Sequence, residues 1–232
     1  MYQQPSLPTY TMQYDAGLRQ FMLGVFNNMG VSLAVSAFVA YFVGTSPALL
    51  QMFFDGPQKW VVIFAPLAFV LLISFGIHKM SVFAAHVALF AFAAVMGLSL
   101  STVFAVFKMG SIANAFFATA AMFGAMSLYG YTTKRDLTKI GSFLIMGALG
   151  LCFASIINVF LASSALTFAI SCIAVVVFAG LTAWDVQNLR NIYYEIDGDD
   201  RERAGVMGAL SLYLNFVNIF TSLLNLFGER KE

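Results

Sequence analysis

Residues 211–228 read SLYLNFVNIFTSLLNLFG, a stretch apolar enough to cross a membrane that is nevertheless interrupted by polar side chains. The interruptions follow one another in steps of four, three, four and three residues, and they are Ser211, Asn215, Asn218, Ser222 and Asn225. On a helix these steps form one continuous stripe. Because a polar side chain that faces lipid is costly, such a stripe predicts a helix enclosed by other helices.

Two interpretations of this polar seam remain open at the level of sequence. In the first, the Asn and Ser side chains form hydrogen bonds between packed helices and have a structural role only. In the second, the seam lines a hydrated path along the last helix. The spacing fits left-handed helix packing and supports both interpretations equally.

The composition of the whole chain indicates a polytopic membrane protein. Hydrophobic residues make up 60% of the 232 positions and charged residues 10%, whereas soluble domains average about 45–50% and about 25%. A net charge of +1 with no basic stripe gives no indication of nucleic-acid binding. The first twenty residues lack the apolar core of a cleaved signal peptide.

Hydrophobic stretches long enough to span a bilayer predict an all-α bundle of seven helices with the last helix central and enclosed by the other six. The predicted parts are a polar N-terminal tail (1–20), a single transmembrane domain (21–228) and a charged C-terminal tail (229–232). The predicted spans are 21–44, 60–78, 82–107, 111–131, 141–163, 165–190 and 205–227.

The Lys/Arg distribution predicts a cytoplasmic N-terminus. If all seven spans cross, eight basic residues lie inside and four outside. The inside set is Arg19, Lys79, Lys134, Arg135, Lys139, Arg190, Arg201 and Arg203, and the outside set is Lys59, Lys108, Arg230 and Lys231. A last helix that re-enters instead of crossing would move Arg230 and Lys231 inside, and charge alone does not decide between the two arrangements.

Asp185 is the one acidic residue predicted to lie within a span; the other ten fall in tails or loops. An ionisable side chain inside a membrane is by default a functional candidate. If the last helix enters the membrane near Gly208, Asn215 lies at a depth similar to that of Asp185. The alternative is that Asp185 ends a helix at the interface and pairs with an Arg or Lys.

The sequence gives little support to an enzyme. It contains no Walker A loop, HExxH or GxSxG motif. His78 and His86 are eight residues apart with no carboxylate beside them, so we predict neither a catalytic site nor a cofactor.

Four segments resemble the Bax inhibitor-1 family, the transmembrane Bax inhibitor motif proteins, in its bacterial inner-membrane branch. They are GLSLSTVF (97–104), AAMFGAMSLYGYTTKRDL (120–137), FAGLTAWDVQNL (178–189) and GALSLYLNFVNIF (208–220). The resemblance implies a seven-helix inner-membrane protein with its last helix at the centre. It also implies a pH-modulated cation leak, for calcium in the best-known members, in which two aspartates on the sixth and seventh spans share a proton and form the gate.

The chain departs from the family pattern at the second aspartate. Asp185 matches the first, but Asn215 occupies the position of the second. An Asp–Asn pair forms a hydrogen bond without a shared proton, so we predict weaker or differently tuned pH dependence. Asp185 remains a candidate Ca²⁺ site. It would be a weak one, because Ca²⁺ usually binds several carboxylates and this pair has only one. His78 and Lys79 are the nearest matches to a basic residue of the family's gate.

The resemblance also implies a second class of function, a membrane regulator that does not transport. Some bacterial relatives look like modulators of a membrane-anchored ATP-dependent protease. In that case the N-terminal tail or the charged segment 191–205 would contact the protease.

Overall fold

The computed structural model describes the backbone of residues 9–231 and the side chains of residues 16–231. In this part of the chain there are eight α-helices and no β-strand. The helices are α1 (Thr9–Gly44), α2 (Pro47–Phe54), α3 (Gln58–Gly76), α4 (Val82–Val106), α5 (Met109–Thr132), α6 (Thr138–Leu161), α7 (Ser164–Glu195) and α8 (Gly198–Phe227).

Seven of these helices are long and apolar enough to cross a membrane, which confirms the predicted number of spans. The short helix α2 was not predicted. The first span is also longer than predicted: α1 already begins at Thr9, so residues 9–20 of the predicted tail are helical, and residues 1–8 lie outside the described part.

The predicted connector 191–205 is wrong in extent. Helix α7 continues to Glu195 and α8 begins at Gly198, so only Ile196 and Asp197 join them. The charged residues of this segment do not end either helix. A helix end that extends beyond the lipid is in water, so its side chains need not be apolar. Asp199 and Asp200 lie in the first turn of α8, where negative charge complements the helix dipole.

Helix α8 is the centre of the bundle, as the polar seam predicts. Two thirds of its most apolar window is buried, against at most one third for any other span. Helices α1, α4, α5 and α7 pack directly on α8, whereas α3 packs mainly on α4 and α6 mainly on α7. The enclosing layer is therefore four helices rather than six, because α3 and α6 add a second layer outside it.

The connections define two ends of the bundle. At the first end, which we call the Asp185 end, Arg203 of α8 donates to the carbonyl oxygen of Met80 between α3 and α4. Arg190 of α7 donates to the carbonyl oxygen of Tyr131 in the last turn of α5. These contacts bring the α3–α4, α5–α6 and α7–α8 connections together at one end.

The C-terminus lies at the opposite end, which excludes the re-entrant alternative. There Lys231 N donates to the Val106 carbonyl oxygen at 2.8 Å, and Lys108 N donates to that of Glu229 at 3.0 Å. The Lys108 ammonium also pairs with the Glu229 carboxylate at 2.9 Å. This hydrogen bond and positive charge lower the pKa of Glu229. Helix α8 thus crosses the whole bundle.

Tyr213 ties α8 to two neighbouring helices. Its hydroxyl lies 2.7 Å from Ser36 Oγ, which in turn donates to the carbonyl oxygen of Ala93 at 2.6 Å. Because the Ser36 proton is used in that bond, Tyr213 acts as the donor to Ser36. Polar side chains of α8 outside the seam therefore also connect neighbouring helices.

We expect Tyr213→Phe to lower the stability of the folded bundle only modestly. The ring remains buried and Ser36 still donates to Ala93, so the loss is one interhelical hydrogen bond, about 0.6 kcal/mol on average in membrane proteins. Thermal unfolding in detergent measures this loss. Tyr129→Phe on the exposed face of α5 is the matched control and should be neutral. A loss as large as that caused by removing the whole ring would contradict this role.

Candidate functional site

Asp185 and Asn215 meet in the interior of the bundle, as the depth estimate predicts. Asn215 Nδ2 donates to Asp185 Oδ2 at 2.6 Å, and Ser211 Oγ donates to the same oxygen at 2.8 Å. Asp185 is 8% exposed and Asn215 is 4% exposed. The carboxylate of α7 is thus held by two successive polar residues of the α8 seam.

The alternative role of Asp185, a helix end paired with a cation, is wrong. Asp185 lies ten residues before the end of α7 at Glu195. The nearest basic residue along the chain, Arg190, points instead to the backbone of Tyr131. Among the described side chains, those that donate hydrogen bonds to the Asp185 carboxylate belong to α8.

Glycines on two neighbouring helices hold the Asp185 segment of α7 tightly. A Cβ on Gly130 of α5 would lie 2.9 Å from the Cα of Ala183 and closer still to its carbonyl oxygen. A Cβ on Gly141 of α6 would overlap the indole ring of Trp184. The residues just before Asp185 are therefore clamped on two sides, which limits how the carboxylate can move.

Gln187 fixes the α5–α6 connection against α7. Its Oε1 accepts from Leu137 N at 2.8 Å, and its Nε2 donates to the Arg135 carbonyl oxygen at 2.8 Å. The sequence reasoning did not single out Gln187. The sequence did contain an indication of its role, because Gln187 is a polar residue two positions beyond Asp185, at the end of an apolar run.

A cleft of about 640 Å³ leads from the Asp185 end to this carboxylate. Its walls come from the end of α3 with the short 3-10 turn Ile77–Lys79, from α7 and from the first half of α8. Among its polar lining residues are Asp185, Ser211, Asn188, His78, Asp200 and Arg203. A water-accessible opening beside a buried carboxylate is an arrangement that can admit a cation.

Of the two basic residues predicted to belong to the gate, one lines the cleft and the other does not. His78 lines the cleft, whereas Lys79 is exposed and is not part of the lining. Arg203, which the sequence reasoning used only for orientation, lines the cleft as well. Arg203, Met207 and Ser211 follow one another in steps of four, so the helical face that reaches Asp185 also contains Arg203.

The remaining seam residues do not join Asp185 in one continuous chain of hydrogen bonds. Asn218 Nδ2 donates to the Leu214 carbonyl oxygen of its own helix at 2.8 Å. Ser222 is buried, and Asn225 is exposed beside two small cavities at the opposite end. The two seam residues at the Asp185 end, Ser211 and Asn215, thus bind the Asp185 carboxylate. The other three, Asn218, Ser222 and Asn225, do not contact it.

No cluster of three or more His, Cys, Asp or Glu side chains within the described residues could hold a metal ion. Any cation bound at Asp185 would therefore have one carboxylate, with the Ser211 hydroxyl and Asn215 amide as neighbouring neutral groups. Ca²⁺ takes six to eight oxygen ligands, so such a site would need several waters. This ligand set fits weak, transient binding rather than a resident metal.

Comparison with known proteins assigns the chain to a family. Residues 18–232 match the family described as inhibitor of apoptosis-promoting Bax1. The chain is 44% identical to an uncharacterised protein of Caulobacter vibrioides over 95% of this chain and 93% of that protein. It is 42% identical to the inner membrane protein YbhL of Escherichia coli K12, over 95% of this chain and 96% of YbhL.

A third relative, the protein RP147 of Rickettsia prowazekii, is 40% identical over 94% of this chain and 93% of that protein. These alignments run over nearly the full length of both partners, and the name of the Escherichia coli relative gives an inner-membrane location. Together with the seven apolar helices, they confirm the family that the sequence motifs indicated. The chain is a multi-pass inner-membrane protein that belongs to the Bax inhibitor-1 family.

Proposed function

We propose that the protein is a cation leak of the inner membrane, with calcium as the ion, in which Asp185 attracts and contacts the ion. The observation that supports this most directly is the buried carboxylate at the inner end of the cleft. The cleft runs beside the central helix, and its lining combines polar groups of α7 and α8 with apolar side chains of the same helices. A buried ionisable group inside a membrane bundle typically marks an ion or proton pathway.

The same proposal places the Asp185 end in the cytoplasm, together with the beginning of α1, where Gly17 lies against Tyr193 near the end of α7. Eight of the twelve basic residues belong to this end and four to the opposite end. An excess of Lys and Arg on cytoplasmic connections is the general rule for membrane proteins. The leak would therefore deliver calcium to, or take it from, the cleft on the cytoplasmic side.

Calcium flux into proteoliposomes tests this function. We expect native protein to raise calcium entry above that of protein-free vesicles, and Asp185→Asn to reduce the entry several-fold. The reason is that Asp185 is the buried charged ligand of the cleft, and an amide in its place attracts cations weakly.

Asp136→Asn is the matched control. Asp136 lies at the same end of the bundle but is exposed and caps α6 by accepting from Thr138 N and Oγ. These hydrogen bonds lower the pKa of Asp136, so its charge stays constant between pH 5 and 8. Equal flux for native protein and Asp185→Asn, or an equal loss for Asp136→Asn, would contradict the proposed role.

If vesicles that contain native protein leak no more calcium than protein-free vesicles, the leak is contradicted. The proposed function would then be that of a non-transporting regulator of a membrane-anchored protease. Since only two residues join α7 and α8, segment 191–205 is not a free peptide loop. Deletion of residues 1–8 would then be the variant to test for loss of protease modulation.

A further inference from the structure

Arg203 occupies an unusual position for a cation in a cation pathway. It lines the same cleft as Asp185 and lies eight residues before Ser211 on α8. At the rise of an α-helix this places its Cα about 12 Å nearer the end of the bundle than Ser211. A cation that enters the cleft from that end therefore passes the guanidinium before it reaches the carboxylate.

Two contacts hold the guanidinium in place. Nη1 donates to the carbonyl oxygen of Met80 at 2.9 Å, which ties α8 to the α3–α4 connection. Nη2 lies 2.9 Å from Asp200 Oδ1. The Arg203 side chain is only 22% exposed, whereas that of Asp200 is 73% exposed. The pair lies partly in solvent, where ion pairs contribute little to stability, and Arg203 is the less exposed of its two charges.

The third nitrogen of the group has no partner. Arg203 Nε is buried and makes no hydrogen bond among the described residues. A buried donor without an acceptor is unfavourable for stability. This nitrogen therefore adds nothing to the stability of the bundle.

We propose that Arg203 is an electrostatic barrier at the mouth of the Asp185 cleft and controls how readily cations enter it. The barrier is positioned by its bond to Met80, and its charge opposes the attraction of Asp185 further in. The proposal rests on the proposed function only in naming calcium as the cation concerned. Its main test does not depend on calcium transport.

The test measures how fast charged and neutral reagents reach the cleft. Cys152 and Cys172, both free and exposed, are replaced by Ser, and Asn188→Cys places a reporter thiol on the cleft wall one helical turn from Asp185. The rates of modification by a trimethylammonium methanethiosulfonate and by its neutral hydroxyethyl analogue are compared in detergent. The ratio of the two rates reports the electrostatic potential at the cleft and corrects for changes in general accessibility.

We expect Arg203→Gln to raise this ratio by roughly tenfold, at the lower end of the range for charges that act in clefts. Glutamine removes the charge but retains an amide donor for the Met80 carbonyl oxygen. Arg203→Lys, which retains the charge, should leave the ratio close to its native value. In vesicles, Arg203→Gln should increase the calcium leak by a similar factor.

Arg201→Gln is the matched control. Arg201 lies two residues earlier on α8, pairs with Asp197 and stacks over the ring of Tyr193, and it lines a different cavity. The Arg201→Gln variant should leave the ratio of the two modification rates unchanged.

An unchanged ratio in Arg203→Gln would overturn the proposal. So would an equal rise in Arg203→Lys, which would indicate a packing role, or an equal rise in Arg201→Gln, which would indicate a general effect of surface charge. A raised ratio without any calcium leak would keep the role of Arg203 and discard the leak. Thermal unfolding of each variant confirms that the measured protein is folded.

Discussion

Asn215→Asp should turn a weakly pH-dependent leak into a steeply pH-dependent one. The substitution places a carboxylate oxygen where Asn215 Nδ2 now lies 2.6 Å from Asp185 Oδ2. Two carboxylates at that distance cannot both be ionised without strong repulsion, so they share a proton and titrate as a coupled unit. In the native pair the amide donates at every pH, and no proton needs to be shared.

The expected direction follows from the charge of the pair. At low pH the shared proton links α7 to α8 as the amide does now, and calcium entry stays low. As the pH rises the pair loses that proton, the two carboxylates repel each other, and their combined charge attracts Ca²⁺ more strongly than one. Flux measured between pH 5 and 8 should therefore rise with pH more steeply in the variant than in native protein.

The exchange variant with both Asp185→Asn and Asn215→Asp is the control for this prediction. It keeps one carboxylate and one amide at the same place but transfers the charge from α7 to α8. We expect its pH profile to return to the shallow native form. A steep profile in the exchange variant, or a native profile in Asn215→Asp alone, would show that the pair of carboxylates is not the pH-sensing element.

Gly130→Ala should have the largest effect on stability. The added Cβ would meet the backbone of Ala183 rather than a flexible side chain, so α5 and α7 would have to separate. Overpacking of this kind typically costs about 1–3 kcal/mol, and sometimes more. The strain falls two residues from Asp185, and we therefore expect the variant to lose calcium flux as well as thermal stability.

Gly124→Ala on the same helix is the matched control and should act in the opposite direction. No atom lies within 4 Å of the Cβ it would add, and Gly124 is exposed. Alanine is favoured over glycine in a helix by about 1 kcal/mol, so this variant should be neutral or slightly stabilised. If thermal unfolding in detergent shows the same stability for Gly130→Ala and Gly124→Ala, that result contradicts the packing of α5 against α7 described above.

The contrast between these glycines shows where sequence reasoning succeeds and where it fails. Ala120 and Gly124, in small-xxx-small spacing, predict close packing at that position. Among the glycines of α5, the one in contact with a neighbouring backbone is instead Gly130. A pattern of small residues indicates that a helix packs closely, but the rotation of α5 depends on α7 and α8, which the local sequence does not contain.

The functional site is also predictable only in part. The 4-3-4-3 spacing predicts that α8 is central, and helix geometry predicts that Asp185 and Asn215 lie at similar depth if the last helix enters the membrane near Gly208. Arg203 as a cleft residue could not be predicted in this way. Its place depends on the continuation of α8 to Gly198, and the charged residues of segment 191–205 obscured that helix.

The central position of α8 has a consequence for biosynthesis. The helix that contacts α1, α4, α5 and α7 follows the other six spans in the chain and so leaves the ribosome after them. Until it is inserted, α1, α4, α5 and α7 lack the helix on which all four pack, and the carboxylate of Asp185 lacks the two donors that satisfy it in the folded bundle. The bundle therefore completes its fold only after α8 has been synthesised, and a chain that terminates before residue 198 would lack the centre of the bundle.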